Sequence, residues 1–189
     1  MVYTNNLAKD TVFTIGHSTR LVEDFVKLLK DHKIKSVIDI RTIPRSRRNP
    51  QFNADTLPNT LNKVGLSYQH MAGLGGFRRV RADSPNSGWR NASFRGFADY
   101  MQTPEFEENL EVLIRLAQKE VIVLMCAEAV PWRCHRSLIA DALVIRGITV
   151  EHILSRTSCR THVLTPWAHI SDSKISYPYP DIPETRRER

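Results

Sequence analysis

Strand-like runs alternating with amphipathic helix patterns predict an α/β fold. The expected form is a single domain with a mostly parallel, roughly five-stranded sheet and helices on both faces, Rossmann-like and doubly wound. Short aliphatic or β-branched runs recur at the spacing of βαβ units, and the segments between them repeat apolar residues at helical spacing. A chemical observation agrees with the periodicity. Gly, Asp, His and Cys residues cluster where the predicted strands stop, the edge at which open parallel sheets place their ligands.

Each element has its own signal. Thr11–Ile15 (TVFTI) is β-branched and aromatic and closes on Gly16, a first strand. Leu21, Phe25 and Leu28, with Val22, Val26 and Leu29, give a helix whose first turn carries Glu23 and Asp24, as the helix dipole favours. Ser36–Ile40 (SVIDI) reads as a buried parallel strand. Residues 55–64 become helical after Pro58, and Leu66–His70 is a weaker third strand. Residues 71–93 are rich in Gly, Arg, Ser and Asn without periodicity and read as a long loop. Thr103 then Pro104 start a helix with the stripe Phe106, Leu110, Leu113, Ile114 and Ala117. Val121–Cys126 (VIVLMC) is the most apolar strand. A last helix spans about His135 to Arg146 and stops before Gly147, and Ile148–Ile153 is the fifth strand. Residues 1–156 form the expected domain. Residues 157–189, with Pro166, Pro178, Pro180 and Pro183 and the terminal ETRRER, form a tail that is either wrapped on the body or disordered.

Composition bounds the function. With 189 residues, 41 % hydrophobic and 25 % charged, the chain can bury a full core. No stretch approaches the roughly 20 apolar residues of a membrane span, and MVYTNNLAKD has no signal-peptide pattern. Three cysteines argue against a disulfide-stapled secreted scaffold and for a reducing cytoplasm. The net charge of +7 is local: residues 41–50 and 77–97 together hold nine Arg against the single acid Asp83. Guanidinium forks grip phosphate and carboxylate oxygens in pairs. An Arg-only excess interleaved with Trp89, Phe94 and Phe97 therefore favours an anion site over a merely solvated surface, with base stacking on Trp89 as one role.

Four features converge on the carboxyl edge of the predicted sheet. Gly16-His17-Ser18-Thr19-Arg20 follows the first strand, Asp39 and Arg41 end the second, His70 ends the third, and Cys126 with the segment AEAVPWRCHR ends the fourth. Cys134, between Arg133 and His135 before a helix, suits a lowered thiol pKa, and Cys126 faces a loop carrying Arg133 and Arg136. The bland alternative is that Cys126 is a small buried hydrophobe and Cys134 a half-buried loop residue. The two are also spaced for a reversible disulfide, or with His135 and a distant His17 or His70 for a metal, although neither C-x-x-C nor H-x-x-x-H spacing is present. His17 is a candidate proton carrier and Asp39 a candidate base. Ser18 offers a donor at a helix start or a simple cap. Arg41, Arg45, Arg95, Arg133 and Arg136 are candidate anion ligands, beside Glu128.

The order strand, Cys, loop, Arg, helix is similar in outline to phosphatase and rhodanese loops. Six residues separate Cys126 from Arg133, however, none is Gly, and Glu128 lies among them. The motifs TIGHSTR (14–20), VIDIRTIPRSRRNPQFN (37–53), YQHMAGLGG (68–76), FRGFADYM (94–101) and LMCAEAVPWRCHRSLIADAL (124–143) together resemble the "domain of unknown function 488" family over roughly residues 11–155. The resemblance implies a compact α/β domain of bacteria and archaea. Its signature falls on Gly16, His17, Ser18, Asp39, Arg41, Pro44, Gly75, Cys126, Glu128, Pro131, Cys134, His135 and Arg136.

The expectation is a cytoplasmic enzyme that binds a phosphorylated substrate, a nucleotide or nucleic acid, at a Cys/His/Arg site, with no cofactor, metal or membrane partner implied. The alternatives are a non-catalytic nucleic-acid-binding module and a thiol-redox or metal-binding regulator.

Overall fold

In the computed structural model, which describes residues 11–179, the centre of the molecule is a parallel sheet. Its strands are β1 (Thr11–Gly16), β2 (Ser36–Asp39), β3 (Ser67–His70), β4 (Ile122–Cys126) and β5 (Thr149–Ile153), and β6 (Cys159–Thr161) completes it in the order β3-β2-β4-β1-β5-β6. The first five run parallel, and β6 pairs antiparallel with β5. β2, β4 and β1 therefore lie side by side and point the same way, so residues following Asp39, Cys126 and Gly16 emerge at one edge.

Alternation along the strands supplies two cores. Ile15, Val37, Val123 and Met125 face α1 (Val22–Asp31) and α2 (Leu57–Asn62), burying Phe25, Leu28, Leu29, Leu57 and Leu61. Val12, Ile38, Ile122, Leu124 and Cys126 face the other way. They pack with α3 (Ala92–Tyr100), α4 (Pro104–Lys119) and α5 (Arg136–Val144). The sheet is thus covered on both faces, as the periodicity predicts.

The structure extends the reading at three points. The sheet has a sixth strand, contributed by residues read as tail. The aperiodic stretch ends in α3, capped by the Asn91 side chain, which accepts from the Ser93 and Phe94 amides. Residues 157–179 are built into the body through β6 and the hairpin of β7 (His169–Ser171) and β8 (Lys174–Ser176). Pro180, Pro183 and the terminal ETRRER lie outside the described residues.

The reason for this wrapping lies in α5, which buries every residue from Arg136 to Leu143. A helix buried all round needs partners beyond one sheet face, and residues 162–177 provide them. Asp141 is fully buried and accepts from His162 Nε2 (2.8 Å), the Thr165 amide (3.0 Å), Thr165 Oγ1 (2.6 Å) and the Tyr177 hydroxyl (2.8 Å). The chain of contacts continues from His162 Nδ1 to His152 Nε2 (3.0 Å) and from His152 Nδ1 to Thr14 Oγ1 (2.7 Å) on β1.

Two outcomes are expected. Tyr177, completely buried, is a core residue, so Tyr177→Ala should lower stability by about 3–5 kcal/mol in urea unfolding, whereas Tyr177→Phe should cost about 1–2 kcal/mol. His152 is pushed down to about 3 by burial, reinforced by His162, Arg136 and Arg160 and opposed by Asp141. Below about pH 6.5 the unfolded chain takes up a proton there that the folded chain refuses, so stability falls as pH drops from about 6.5 towards 3. His152→Gln should make that decline shallower in unfolding curves recorded across this range.

Candidate functional site

β4 places Cys126 at the carboxyl edge, only 7 % exposed, and the next nine residues loop out and return to α5. A 3₁₀ turn at Pro131–Arg133 bends the loop, after which Cys134 is extended (φ −134°) and His135 already helical (φ −56°). That change of backbone region turns two consecutive side chains towards Cys126. The Sγ atoms of Cys126 and Cys134 and a ring nitrogen of His135 all lie within 4.8 Å of one another.

The loop is held by backbone accounting. Arg136, 1 % exposed, donates from its two terminal nitrogens to the carbonyls of Glu128 (2.5 Å) and Ala129 (2.8 Å), while its buried Nε has no partner among the described residues. The Glu128 carbonyl also presses on β1. A Cβ at Gly16 would stand 1.8 Å from that oxygen, so only glycine allows the approach. The amides of His17 and Ser18 complete the seam by donating to the carbonyls of Cys126 and Ala127, both at 2.9 Å.

His135 is fixed by its far side. Nε2 lies 3.1 Å from the carbonyls of both Ile40 and Leu74, acceptors only, so Nε2 carries the hydrogen. In the neutral ring Nδ1 then presents a lone pair, and it sits 3.8 Å from Cys134 Sγ. The Phe97 ring packs 5.0 Å from the imidazole, and Gly76 lies so close that a Cβ there would stand 2.6 Å from Nδ1. The Cys126 thiol is pushed well below its ordinary range by the hydrogen bond from Cys134 and by His135 and Arg136, against the burial that opposes ionisation. Cys134, the donor in that contact, is raised.

These groups floor a cleft of about 350 Å³. Its walls are Arg41, Thr42 and Ile43 after β2, Gly76 and Phe77, Asn91, Ser93 and Phe94 at the start of α3, and Ala127, Glu128 and Arg133. Arg133 and Glu128 are exposed, and neither side chain makes a hydrogen bond or ion pair among the described residues.

Other sequence candidates are placed differently. Asp39 is fully buried and accepts from the Arg41 amide (3.1 Å), Arg41 Nε (2.9 Å) and Nη2 (2.5 Å), and the Tyr68 hydroxyl (2.7 Å). A carboxylate so engaged is a structural anchor and not a base. Arg41 spends its fork on Asp39 and on the Phe52 carbonyl (2.6 Å), leaving Nη1 against His17 Nε2 at 3.2 Å. His17, 2 % exposed, lies stacked 4.3 Å from Phe52, with Nδ1 on the Ser18 carbonyl at 2.9 Å. Burial, reinforced by Arg41, lowers its pKa, and the ring lies away from the cleft. Ser18 does not cap α1, whose N-cap is Leu21, and adopts φ +50°. His70 Nε2 meets the Arg41 carbonyl at 2.8 Å. Arg95 donates to the Trp89 carbonyl (2.9 Å), outside the cleft. Arg45 is exposed with no partner among the described residues. Trp89, half-buried, packs among Phe94, Trp167 and Tyr177 at 4.9–5.5 Å and lies outside this cleft.

Sequence reasoning missed Thr42, Asn91 and Ser93 as wall residues and Gly76 as the seat of the imidazole. Asn91 carried a usable signal, an N-cap residue followed by Phe94, Phe97, Ala98 and Met101 at helical spacing. No helix among the described residues is long and apolar enough to cross a membrane.

The chain belongs to the family described as Domain of unknown function DUF488, whose model matches residues 21–143. That span takes in Asp39–Arg41 and the whole Cys126–Arg136 loop and leaves out the Gly16–Arg20 turn. Comparison with curated proteins and with solved structures finds no match.

Because Arg41 neutralises a fully buried carboxylate, Arg41→Ala is expected to destabilise the fold by about 3–5 kcal/mol, read from the shift of the urea midpoint.

Proposed function

We propose that this protein is an enzyme acting on a phosphorylated substrate, a nucleotide or a nucleic-acid strand, held in the cleft at the carboxyl edge of the sheet. One observation carries the reading: two thiols and an oriented imidazole form the floor of a cleft whose exposed rim residue Arg133 has no partner among the described residues. Buried sulfur beside an imidazole whose tautomer is fixed is an arrangement for chemistry more than for adhesion.

The surroundings fit an anionic, partly planar substrate. Arg133 supplies a guanidinium fork for phosphate oxygens. Phe77, 75 % exposed, and Phe94 offer ring faces on the cleft wall. Three of the four wall segments also lead within two residues to an exposed arginine whose side chain has no partner among the described residues: Arg45 beyond Ile43, Arg79 beyond Phe77, and Arg90 before Asn91. A charge track leaving the cleft favours a polyanion or a nucleotide with several phosphates over a single monoester. Glu128 lines the same cleft and would repel a phosphate placed against it, which puts the anion on the Arg133 side.

The test is a panel of nucleotides, oligonucleotides and simple phosphoesters with the full chain. Cys126→Ser and His135→Ala should each lower turnover by at least about 100-fold while thermal unfolding moves little. Arg133→Ala should mainly raise KM, and the effect should shrink as salt is added. Unchanged turnover in Cys126→Ser and His135→Ala would refute the proposal. So would binding of nucleic acid that is steeply salt-dependent, accompanied by no turnover and indifferent to both cysteines, since that describes a binding module.

A further inference from the structure

We infer that Cys126, Cys134 and His135 form a divalent-cation site, with zinc the occupant best suited to the donor set, whose fourth coordination position opens into the cleft. The binding inference stands on geometry alone; its catalytic purpose rests on the function proposed above.

The donors fit. Zinc takes thiolate sulfur and imidazole nitrogen in tetrahedral array, and bonds of about 2.3 Å and 2.0–2.1 Å place neighbouring S and N donors roughly 3.5 Å apart. Cys134 Sγ and His135 Nδ1 stand at 3.8 Å, and all three donor atoms lie within 4.8 Å, so closing on an ion requires shifts of an ångström or less.

The imidazole is the more telling member. Histidines that bind metals through one nitrogen characteristically donate the other N–H to a carboxylate or a backbone carbonyl. His135 does so twice over, to Ile40 and Leu74, which leaves Nδ1 facing the sulfurs as a lone-pair donor. A thiol pair intended only for disulfide exchange would have no need of this third, rigidly aimed nitrogen.

Charge also balances. Cys126 and Cys134 are 7 % and 3 % exposed, and a dication with two thiolates brings no net charge into that buried site. With three protein donors and a cleft on the remaining side, the fourth position is left for water or a phosphoryl oxygen, as in catalytic rather than structural zinc centres.

The experiment uses the full chain, reduced and stripped by chelator, titrated with cobalt(II). One equivalent should bring the visible bands of tetrahedral cobalt together with a sulfur-to-cobalt charge-transfer band, and zinc should bleach both. Cys126→Ser, Cys134→Ser and His135→Ala should each weaken cobalt binding by at least about 100-fold, whereas Cys159→Ser, which removes the third cysteine beside His32, should not. A second measurement needs no variant: zinc should shield Cys126 and Cys134 from alkylation in the native chain, read peptide by peptide, and leave Cys159 reactive. Absence of the charge-transfer band, its survival in the ligand variants, or a reduced chain that ignores cobalt but closes a Cys126–Cys134 disulfide in air would overturn the site. Cobalt spectra without turnover of any phosphorylated substrate would uphold the site and remove the proposed function. Turnover that persists after complete metal removal would uphold the proposed function and overturn the ion's catalytic purpose.

Discussion

The carbonyl of Glu128, gripped between Gly16 and Arg136, is the contact on which the site depends. Cys126 and Cys134 are eight positions apart, and nothing in their spacing brings them together. They meet because the loop between them is drawn against the end of β1 and clamped there from the first turn of α5. Burying the carbonyls of Glu128 and Ala129 without donors would cost several kcal/mol, and the Arg136 fork supplies both hydrogen bonds from one side chain. A buried guanidinium is itself expensive, and its Nε finds no partner among the described residues. The fold tolerates that cost at the residue that sets the separation of the two sulfurs.

The arginines divide into two populations that the sequence does not distinguish. Arg41 and Arg136 are interior parts, one neutralising Asp39 and the other closing a loop. Arg45, Arg47, Arg48, Arg79, Arg90 and Arg133 are exposed and make no ion pair among the described residues. The sequence treats all of them alike as candidate anion ligands or parts of the basic excess, because a guanidinium reads the same wherever it lies. The local clue was Asp39, two residues before Arg41 at a strand end: an acid and a base at that spacing on a buried strand satisfy each other before either meets solvent. Tyr68 on β3 reinforces the pair from the neighbouring strand, and its phenol is raised by burial and by donating to Asp39.

Periodicity made most of the fold legible, because strands that are buried on both faces and helices with one apolar stripe announce themselves. The TVFTI, SVID and IVLMC strands, the Thr103-Pro104 start of α4 and the positive φ of Gly147 after α5 all follow from local chemistry. Apart from α3, whose Asn91 cap was a local signal, the unread elements are those whose order comes from distant partners. β6, β7 and β8 are three residues each, too short to show a period, and Tyr177 becomes core only because Asp141 on α5 receives its hydroxyl. A hint was present in α5: Arg136–Val144 hold no continuous polar face, so something beyond the sheet had to cover the helix. The edge placement of Cys126 and Cys134 was legible for the same reason as the strands; the fixed tautomer of His135 was not, because it is set by carbonyls from two other segments.

The same division explains why the cluster and the basic rim should act at different stages on the proposed reading. Exposed guanidiniums act through fields screened over about 8 Å at physiological salt, so they raise encounter rates and hold a long anion weakly. Sulfur and imidazole that are largely removed from water act only at contact, but there their interactions are far less screened. A substrate gathered by the rim gains little until its reacting group displaces solvent from the floor, where Cys126, Cys134 and His135 converge. On the proposed reading, specificity would therefore belong to the floor and its walls, and the arginine track would serve capture. That separation is what a parallel sheet provides when its strand ends hold the chemistry and its connecting loops hold the charge.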